Sequence, residues 1–87
     1  MRFEWDAGNQ AKCQKHGVSI AEVEQVIQTG IIAPDIVHSS AEDRFMARGR
    51  AHSGRSVFAV FTVRNGKARP ISARYRHRKE IDRHGKT

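Results

Sequence analysis

Residues 56–63 have the sequence Ser-Val-Phe-Ala-Val-Phe-Thr-Val, and Asn65-Gly66 follow them after a single arginine. An apolar run of this length between turn residues is typical of a central β-strand. Asn-Gly suits a tight hairpin turn, because both turn positions need a positive φ. We therefore expect residues 67–75 to return as an antiparallel partner strand. One face of this strand carries Ile71, Ala73 and Tyr75, and the other carries Ser72 and Arg74.

The residues before this hairpin predict further strands. Residues 43–50 alternate between a face with Phe45, Ala47 and Gly49 and a basic face with Arg44, Met46, Arg48 and Arg50. Residues 31–37 are apolar and β-branched, but Pro34 has no backbone N–H, so we expect an edge or irregular strand there. A short first strand is expected at residues 3–5.

Two helices are expected between the first strand and the sheet. Asp6 is a candidate N-cap for a helix over residues 7–15, and Gly17 is its expected stop. Ser19-Ile20-Ala21-Glu22 is a capping box for a second helix, which ends at Gly30. A last, basic helix is expected over residues 76–83. The predicted fold class is therefore α+β, with two N-terminal helices packed on an antiparallel sheet and a short C-terminal helix.

The length and composition exclude several classes of protein. A chain of 87 residues predicts a single domain over residues 1–87 and excludes an enzyme with separate cofactor and substrate domains. Cys13 is the only cysteine, which excludes an intramolecular disulfide and a Cys-rich zinc site. The sequence has neither a long apolar run nor a signal-peptide core, so we expect a cytoplasmic protein with no membrane partner.

The charge is distributed unevenly along the chain. Residues 1–40 contain three basic and five acidic residues, whereas residues 41–87 contain thirteen basic and four acidic residues. A near-neutral half joined to a strongly basic half favours a polyanionic partner, most simply a nucleic acid.

The basic residues of the second half are candidate ligands for RNA phosphates. Guanidinium groups bind phosphate oxygens in a bidentate manner and stay charged near neutral pH. The candidates are Arg44, Arg48, Arg50, Arg55, Arg74, Arg76, Arg78 and Lys79, to which Lys15 and His16 are added from the end of the first helix. The alternatives are a solvated polar sheet face for the arginines and a capping or packing role for His16.

His77, Glu80 and His84 have spacings of three and four, which place them on one side of the predicted last helix. Histidine and glutamate suit the acid and base steps of RNA cleavage, because their pKa values can be tuned towards neutrality. Two alternatives remain: intrahelical pairs of Glu80 with Arg76 and His84, and a zinc site that would lack an evident fourth ligand.

Two segments resemble the BrnT toxins of bacterial type II toxin–antitoxin systems. The first comprises Phe3-Glu4-Trp5-Asp6, Asn9, Lys12 and Lys15-His16-Gly17-Val18-Ser19, and the second Arg69-Pro70-Ile71-Ser72-Ala73-Arg74-Tyr75 with His77, Arg78, Lys79 and Glu80. Between them, Arg44-Phe45, Gly49-Arg50 and Gly54-Arg55 match the family in order and spacing.

The resemblance implies a RelE-like fold and an endoribonuclease that works without a metal or another cofactor. It implies that the protein cleaves RNA and blocks translation and growth. The implied partner is a BrnA-like antitoxin with a ribbon-helix-helix DNA-binding domain, in a heterotetramer of two toxins and two antitoxins that contacts operator DNA through the antitoxin. We assign the catalytic roles to Arg50, Arg74, His77, Glu80 and His84, although family members often have Tyr at the position of His84.

Two other functions remain open at this point. The chain could be a non-catalytic nucleic-acid-binding or autoregulatory protein, whose arginines only position phosphates. It could also be a catalytically silent copy, which the departure at His84 would fit.

Overall fold

The computed structural model describes residues 1–77 of the chain. Its elements are α1 (Ala7–Gln14), α2 (Ile20–Thr29), β1 (Ile31–Pro34), β2 (Arg44–Arg50), β3 (Ser56–Arg64) and β4 (Lys67–Tyr75). The strands form one antiparallel sheet in the order β1-β2-β3-β4, so the predicted α+β class is confirmed for these residues. Neither of the two helices has the length and hydropathy needed to span a bilayer.

The β3–β4 hairpin forms at the predicted turn. Asn65 has a φ of 51° and Gly66 a φ of 74°, which are the positive values that the turn requires. Farther from the turn, the pairing between β3 and β4 shifts by one residue. Val60 pairs with Ser72 and Phe61 pairs with Pro70, so Ile71 is the extra residue of a bulge. This bulge accommodates a proline inside the ladder, and it makes Pro70 a fully buried residue that the alternation pattern did not predict.

Both helices begin with a capping box. In α2 the Ser19 Oγ accepts from the Glu22 N–H, and the Glu22 carboxylate accepts from the Ser19 N–H, as predicted. In α1 the same reciprocal pair is made by Asp6 and Asn9. The Asn9 side-chain amide also donates to the carbonyls of Glu4 and Pro70, at 3.0 and 2.9 Å. Asn9 therefore joins α1 to the N-terminal segment and to β4.

The core lies between the helices and one face of the sheet. Val23, Val26 and Ile27 of α2 are buried against small and apolar residues of the strands. The sheet contributes Ala47, Val57, Ala59, Phe61, Ala68 and Ala73 to this core. Small side chains on the sheet let α2 approach closely. Close packing contributes to stability in a chain this short, because it can bury only a limited fraction of its surface.

Two predicted elements differ from the structure, and most of a third lies outside the described residues. Residues 3–5 form no strand; instead Phe3 makes one isolated parallel bridge with Ala68. β1 ends at Pro34, and its four residues are all exposed, as expected of an edge strand. The predicted helix over residues 76–83 begins with Arg76 and His77, which follow β4 without regular structure, and its other residues lie outside the described part of the chain.

We predict that Gly30→Ala destabilises the fold by about 2–4 kcal/mol, measured by urea unfolding. A Cβ at this position would lie 2.6 Å from the Val26 carbonyl oxygen and closer still to that of Arg48. Backbone at that distance has to shift, because no side chain can move aside. Gly8→Ala is the control, since its new Cβ meets only the end of the Asp6 side chain. Equal stability of Gly30→Ala and the wild type would contradict this account.

Candidate functional site

The sheet has a second face, which neither α1 nor α2 covers; we call it the open face. Its strand register places Arg48 of β2 opposite Phe58 of β3, and Phe58 opposite Arg74 of β4. Neighbouring strands lie about 5 Å apart, so the α-carbons of the two arginines are about 10 Å apart. The Arg74 guanidinium lies over the Phe58 ring, 4.9 Å from its centroid.

The next row across the sheet adds two more arginines. Arg50 pairs with Ser56, and the Arg76 N–H donates to the Ser56 carbonyl at 3.0 Å. Arg76 thus continues the β4 pairing by one residue, and it is largely buried, with 8% of its surface exposed. We call Arg48, Arg50, Arg74 and Arg76 the arginine quartet. Four guanidinium groups on two adjacent rows can surround one phosphate group or two consecutive ones.

An apolar cleft adjoins the quartet on the open face. It has a volume of about 210 Å³ and is lined by Ile31, Ala33, Met46, Ala47, Arg48, Phe58 and Arg76. Within residues 1–77, the Nε of Arg48 is the one buried side-chain polar atom without a hydrogen-bond partner. The cleft is therefore an apolar recess with guanidinium donors at its wall.

Glu22 supports the strand end that carries Arg74 and Arg76. Its carboxylate accepts hydrogen bonds from the Tyr75 hydroxyl at 2.7 Å and from the Ser53 hydroxyl at 2.6 Å, besides the Ser19 N–H. Tyr75 lies between the two arginines in sequence, and its side chain points to the core side of the sheet. The sequence indicated Glu22 as part of a helix cap. Its contacts with Ser53 and Tyr75 could not be predicted from the local pattern, because these residues are distant in the sequence.

The hydrogen bonds to Glu22 lower its pKa. Burial by itself disfavours the carboxylate, but the donors Ser19, Ser53 and Tyr75 outweigh this effect and lower the pKa to about 2. The same contact raises the pKa of Tyr75, because a hydroxyl that donates to a carboxylate holds its proton more tightly. Glu22 therefore stays ionised throughout the neutral range.

The other predicted site residues are placed less uniformly. Arg55 stacks on the Tyr75 ring at 3.5 Å from its centroid, so it contacts the core side rather than the quartet. Arg44 is on the open face but four residues from Arg48, about 13 Å along the strand. Lys15 is exposed at the end of α1, whereas His16 lines a cleft of about 110 Å³ at the β4 edge with Phe58, Ser72, Ala73 and Arg74.

The predicted acid–base residues lie mostly beyond the described part of the chain. His77 is exposed and directly follows Arg76. The other predicted residues of this segment lie outside the described part of the chain; they are Arg78, Lys79, Glu80 and His84. Two of the three ligands of the alternative zinc site are among them. Within residues 1–77, no three side chains of the types His, Cys, Asp and Glu come together as a metal site would need.

The fold and the site first define a class: a small α+β domain with arginines clustered on a sheet face that α1 and α2 leave uncovered. A family model described as "Ribonuclease toxin, BrnT, of type II toxin-antitoxin system" matches residues 5–80. The chain therefore belongs to the BrnT family of ribonuclease toxins, as its end segments indicated, and a type II system implies a cognate antitoxin. A comparison with the curated proteins gives no match for this chain.

We predict that Glu22→Gln lowers the free energy of unfolding by about 1–3 kcal/mol at pH 7, because it replaces an ionised acceptor of three donors. The wild-type pKa of about 2 lies below the usual value of 4.5. The stabilisation is therefore complete above about pH 4.5 and is lost as the pH falls from there towards 2. Urea unfolding at pH 7, 4 and 3 should show the two proteins converging.

Glu42→Gln is the control for this prediction, because Glu42 pairs with Arg64 at the surface and contacts no residue of the Glu22 network. It should change the stability less than Glu22→Gln does. A stability difference between Glu22→Gln and the wild type that is the same at pH 7 and pH 3 would contradict the role of the charged carboxylate.

Proposed function

We propose that this toxin is a metal-independent endoribonuclease of RelE-like fold that inhibits translation and growth and is neutralised by a BrnA-like antitoxin. The observation that carries the proposal is the arginine quartet on the open face, next to the half-buried ring of Phe58. Guanidinium groups at these positions place positive charge at the phosphate. In other nucleases a metal ion supplies this charge.

In the proposed reaction, the 2′-hydroxyl of one nucleotide attacks the adjacent phosphorus in line. Its proton passes to a base, the bond from phosphorus to the 5′-oxygen breaks, and an acid protonates that oxygen. The products are a 2′,3′-cyclic phosphate and a 5′-hydroxyl. Arg50 and Arg74 neutralise the charge that builds on the non-bridging oxygens, the electrostatic contribution that is usually the largest.

Four residues are candidates for the proton transfers. The sequence suggests that Glu80 or His77 accepts the proton of the 2′-hydroxyl and that His84 donates to the 5′-oxygen. The structure adds His16, which lines the same small cleft as Arg74 and Phe58. An exposed histidine beside a phosphate-binding arginine can transfer a proton to or from the reacting oxygens.

The remaining basic residues extend the RNA contact. Arg44 lies farther along the open face, and Lys15 precedes His16 at the β4 edge. Arg78 and Lys79 continue the basic segment in the sequence. Such residues hold neighbouring phosphates and fix the register of the strand, without reading its sequence.

The open face and β1 together suit an antitoxin. A segment with acidic side chains would neutralise the quartet and block the phosphate site. Apolar side chains beside it would cover the exposed residues near the sheet edge, which are Ile31, Ile32, Ile36 and Val37. We propose that the BrnA-like partner does this in a complex of two toxins and two antitoxins, and contacts operator DNA through its ribbon-helix-helix domain.

We predict that Arg74→Ala lowers the rate of RNA cleavage about 10²-fold, the effect of removing one donor from a developing oxyanion. Arg74→Lys should have an intermediate rate, since it keeps the charge but loses the two-pronged geometry. The measurement is cleavage of a defined RNA by antitoxin-free protein, with detection of the cyclic phosphate. Lys67→Ala is the control, because Lys67 lies at the hairpin, about 23 Å along β4.

Results of two kinds would contradict this mechanism, the first from the arginine variants and the second from the dependence on a metal. One is an unchanged rate for a folded Arg74→Ala protein, or equal growth arrest by wild type and the Arg74→Ala/Glu80→Ala double variant. The other is cleavage that stops in EDTA and returns on addition of a divalent metal. Binding of RNA without any cleavage would instead favour a non-catalytic nucleic-acid-binding protein.

We also predict that His16→Ala lowers the cleavage rate about 10²-fold, which is the usual contribution of a general acid or base. RNA binding should change little, because Arg74 and Phe58 remain in place. His52→Ala is the matched control, because His52 is an exposed histidine in the loop after β2. The backbone N–H of His52 donates to the Gln25 side chain of α2, and this bond does not depend on the imidazole. Equal rates for the two variants would remove His16 from the reaction.

A further inference from the structure

The apolar cleft beside the quartet has the size and chemistry of a base-binding site. Five of its seven lining residues are apolar, and its volume is about 210 Å³. This is smaller than the typical pocket for a drug-sized ligand, about 300–1,000 Å³, and suits one flat ring system with the sugar and phosphate outside. The half-buried Phe58 ring forms one wall and can stack on a base, as aromatic side chains do with single-stranded RNA.

The cleft adjoins the proposed phosphate site. Phe58 lines the cleft and also lies under the Arg74 guanidinium. Since β3 and β4 are about 5 Å apart, a nucleotide with its base in the cleft keeps its phosphate within reach of Arg74. The cleft and the quartet can therefore hold two parts of one nucleotide.

Arg48 lines the cleft and carries a hydrogen-bond donor that can distinguish one base from another. Its Nε is buried without a hydrogen-bond partner, which is unfavourable unless a ligand supplies an acceptor. An arginine fork needs two adjacent acceptors on its ligand. Among the four RNA bases, guanine offers two acceptors side by side, O6 and N7, with no donor on that edge, whereas adenine has a donor beside N7.

We propose that this cleft binds a guanine base of single-stranded RNA, with Arg48 donating to its Hoogsteen edge and Phe58 stacking on its ring. The inference rests on the proposed function, because it names the nucleotide that the phosphate site receives. It makes Arg48 a specificity-determining residue, and it places the cleaved phosphate next to a guanosine.

The test is binding of four fluorescein-labelled hexanucleotides that are uridine throughout except for G, A, C or U at one central position. All sugars carry 2′-fluoro groups, so the 2′-hydroxyl needed for cleavage is missing. Fluorescence anisotropy should show the guanine oligonucleotide binding to the wild type about tenfold more tightly than the other three. Arg48→Met should reduce this ratio to about twofold or less.

Arg50→Met is the matched control, since it removes the same charge from the same strand face one row away. It should weaken binding of all four oligonucleotides and leave the guanine ratio unchanged. Ala33→Leu tests the cleft independently of Arg48, because Ala33 is an exposed edge-strand residue whose enlargement fills the recess. It too should abolish the preference for guanine.

The possible results separate this inference from the proposed function. Equal binding of the four oligonucleotides by the wild type, a preference for another base, or no binding would overturn the guanine site. A guanine ratio that survives in both Arg48→Met and Ala33→Leu would do the same. If guanine is preferred and natural RNA stays uncut, the catalytic proposal fails alone; cleavage without a guanine preference defeats only the base site.

Discussion

The hydrogen bonds accepted by the ionised carboxylate of Glu22 hold together the end of the molecule that carries Arg74 and Arg76. The carboxylate joins the first turn of α2, the loop at Ser53 and the end of β4 at Tyr75 through hydrogen bonds of 2.6–3.0 Å. Tyr75 occupies the core side of β4, so its neighbours Arg74 and Arg76 must face the other way. Arg55 closes the arrangement by stacking on the Tyr75 ring. A helix cap thereby fixes the direction of two arginines on the opposite side of the sheet.

One face of the sheet packs in the core, and the other face carries the charged arginines. Small residues such as Ala47 and Ala59 let α2 pack closely, and the contact of Gly30 with Gly49 brings the end of α2 onto β2. The layer formed by α1 and α2 packs on this face and forms the core of the described residues, in a chain whose small size leaves a thin stability margin. The open face is then free to hold like charges, whose repulsion is moderated because most of the quartet is in contact with water. The stability of the fold and the charge of the site are kept on separate faces.

The sequence predicted best what is decided locally. The Ser19–Glu22 capping box and the Asn65-Gly66 turn each depend on residues within four positions, and both formed where expected. The basic face of β2 followed from simple alternation. Long-range features gave no such signal: the bulge at Pro70 depends on pairing with Phe61, and the stack of Arg55 on Tyr75 joins residues from different elements. Arg55 and Arg76 looked equivalent in the sequence, but only Arg76 extends the β4 pairing and joins the quartet.

A toxin of this kind must bind two different partners, and its structure offers one surface that suits both. In the proposed function, RNA phosphates and an acidic antitoxin segment both bind the arginine quartet, so their binding is competitive by charge alone. The proposed antitoxin contact also includes the exposed edge strand, where Ile31 borders the apolar cleft. A protein that covers Ile31 while neutralising Arg48 would therefore close the proposed base site and the proposed phosphate site together. On these two proposals, inhibition needs no change in the fold of the toxin, because the side chains proposed to select RNA are the same ones that the proposed antitoxin contact removes from solvent.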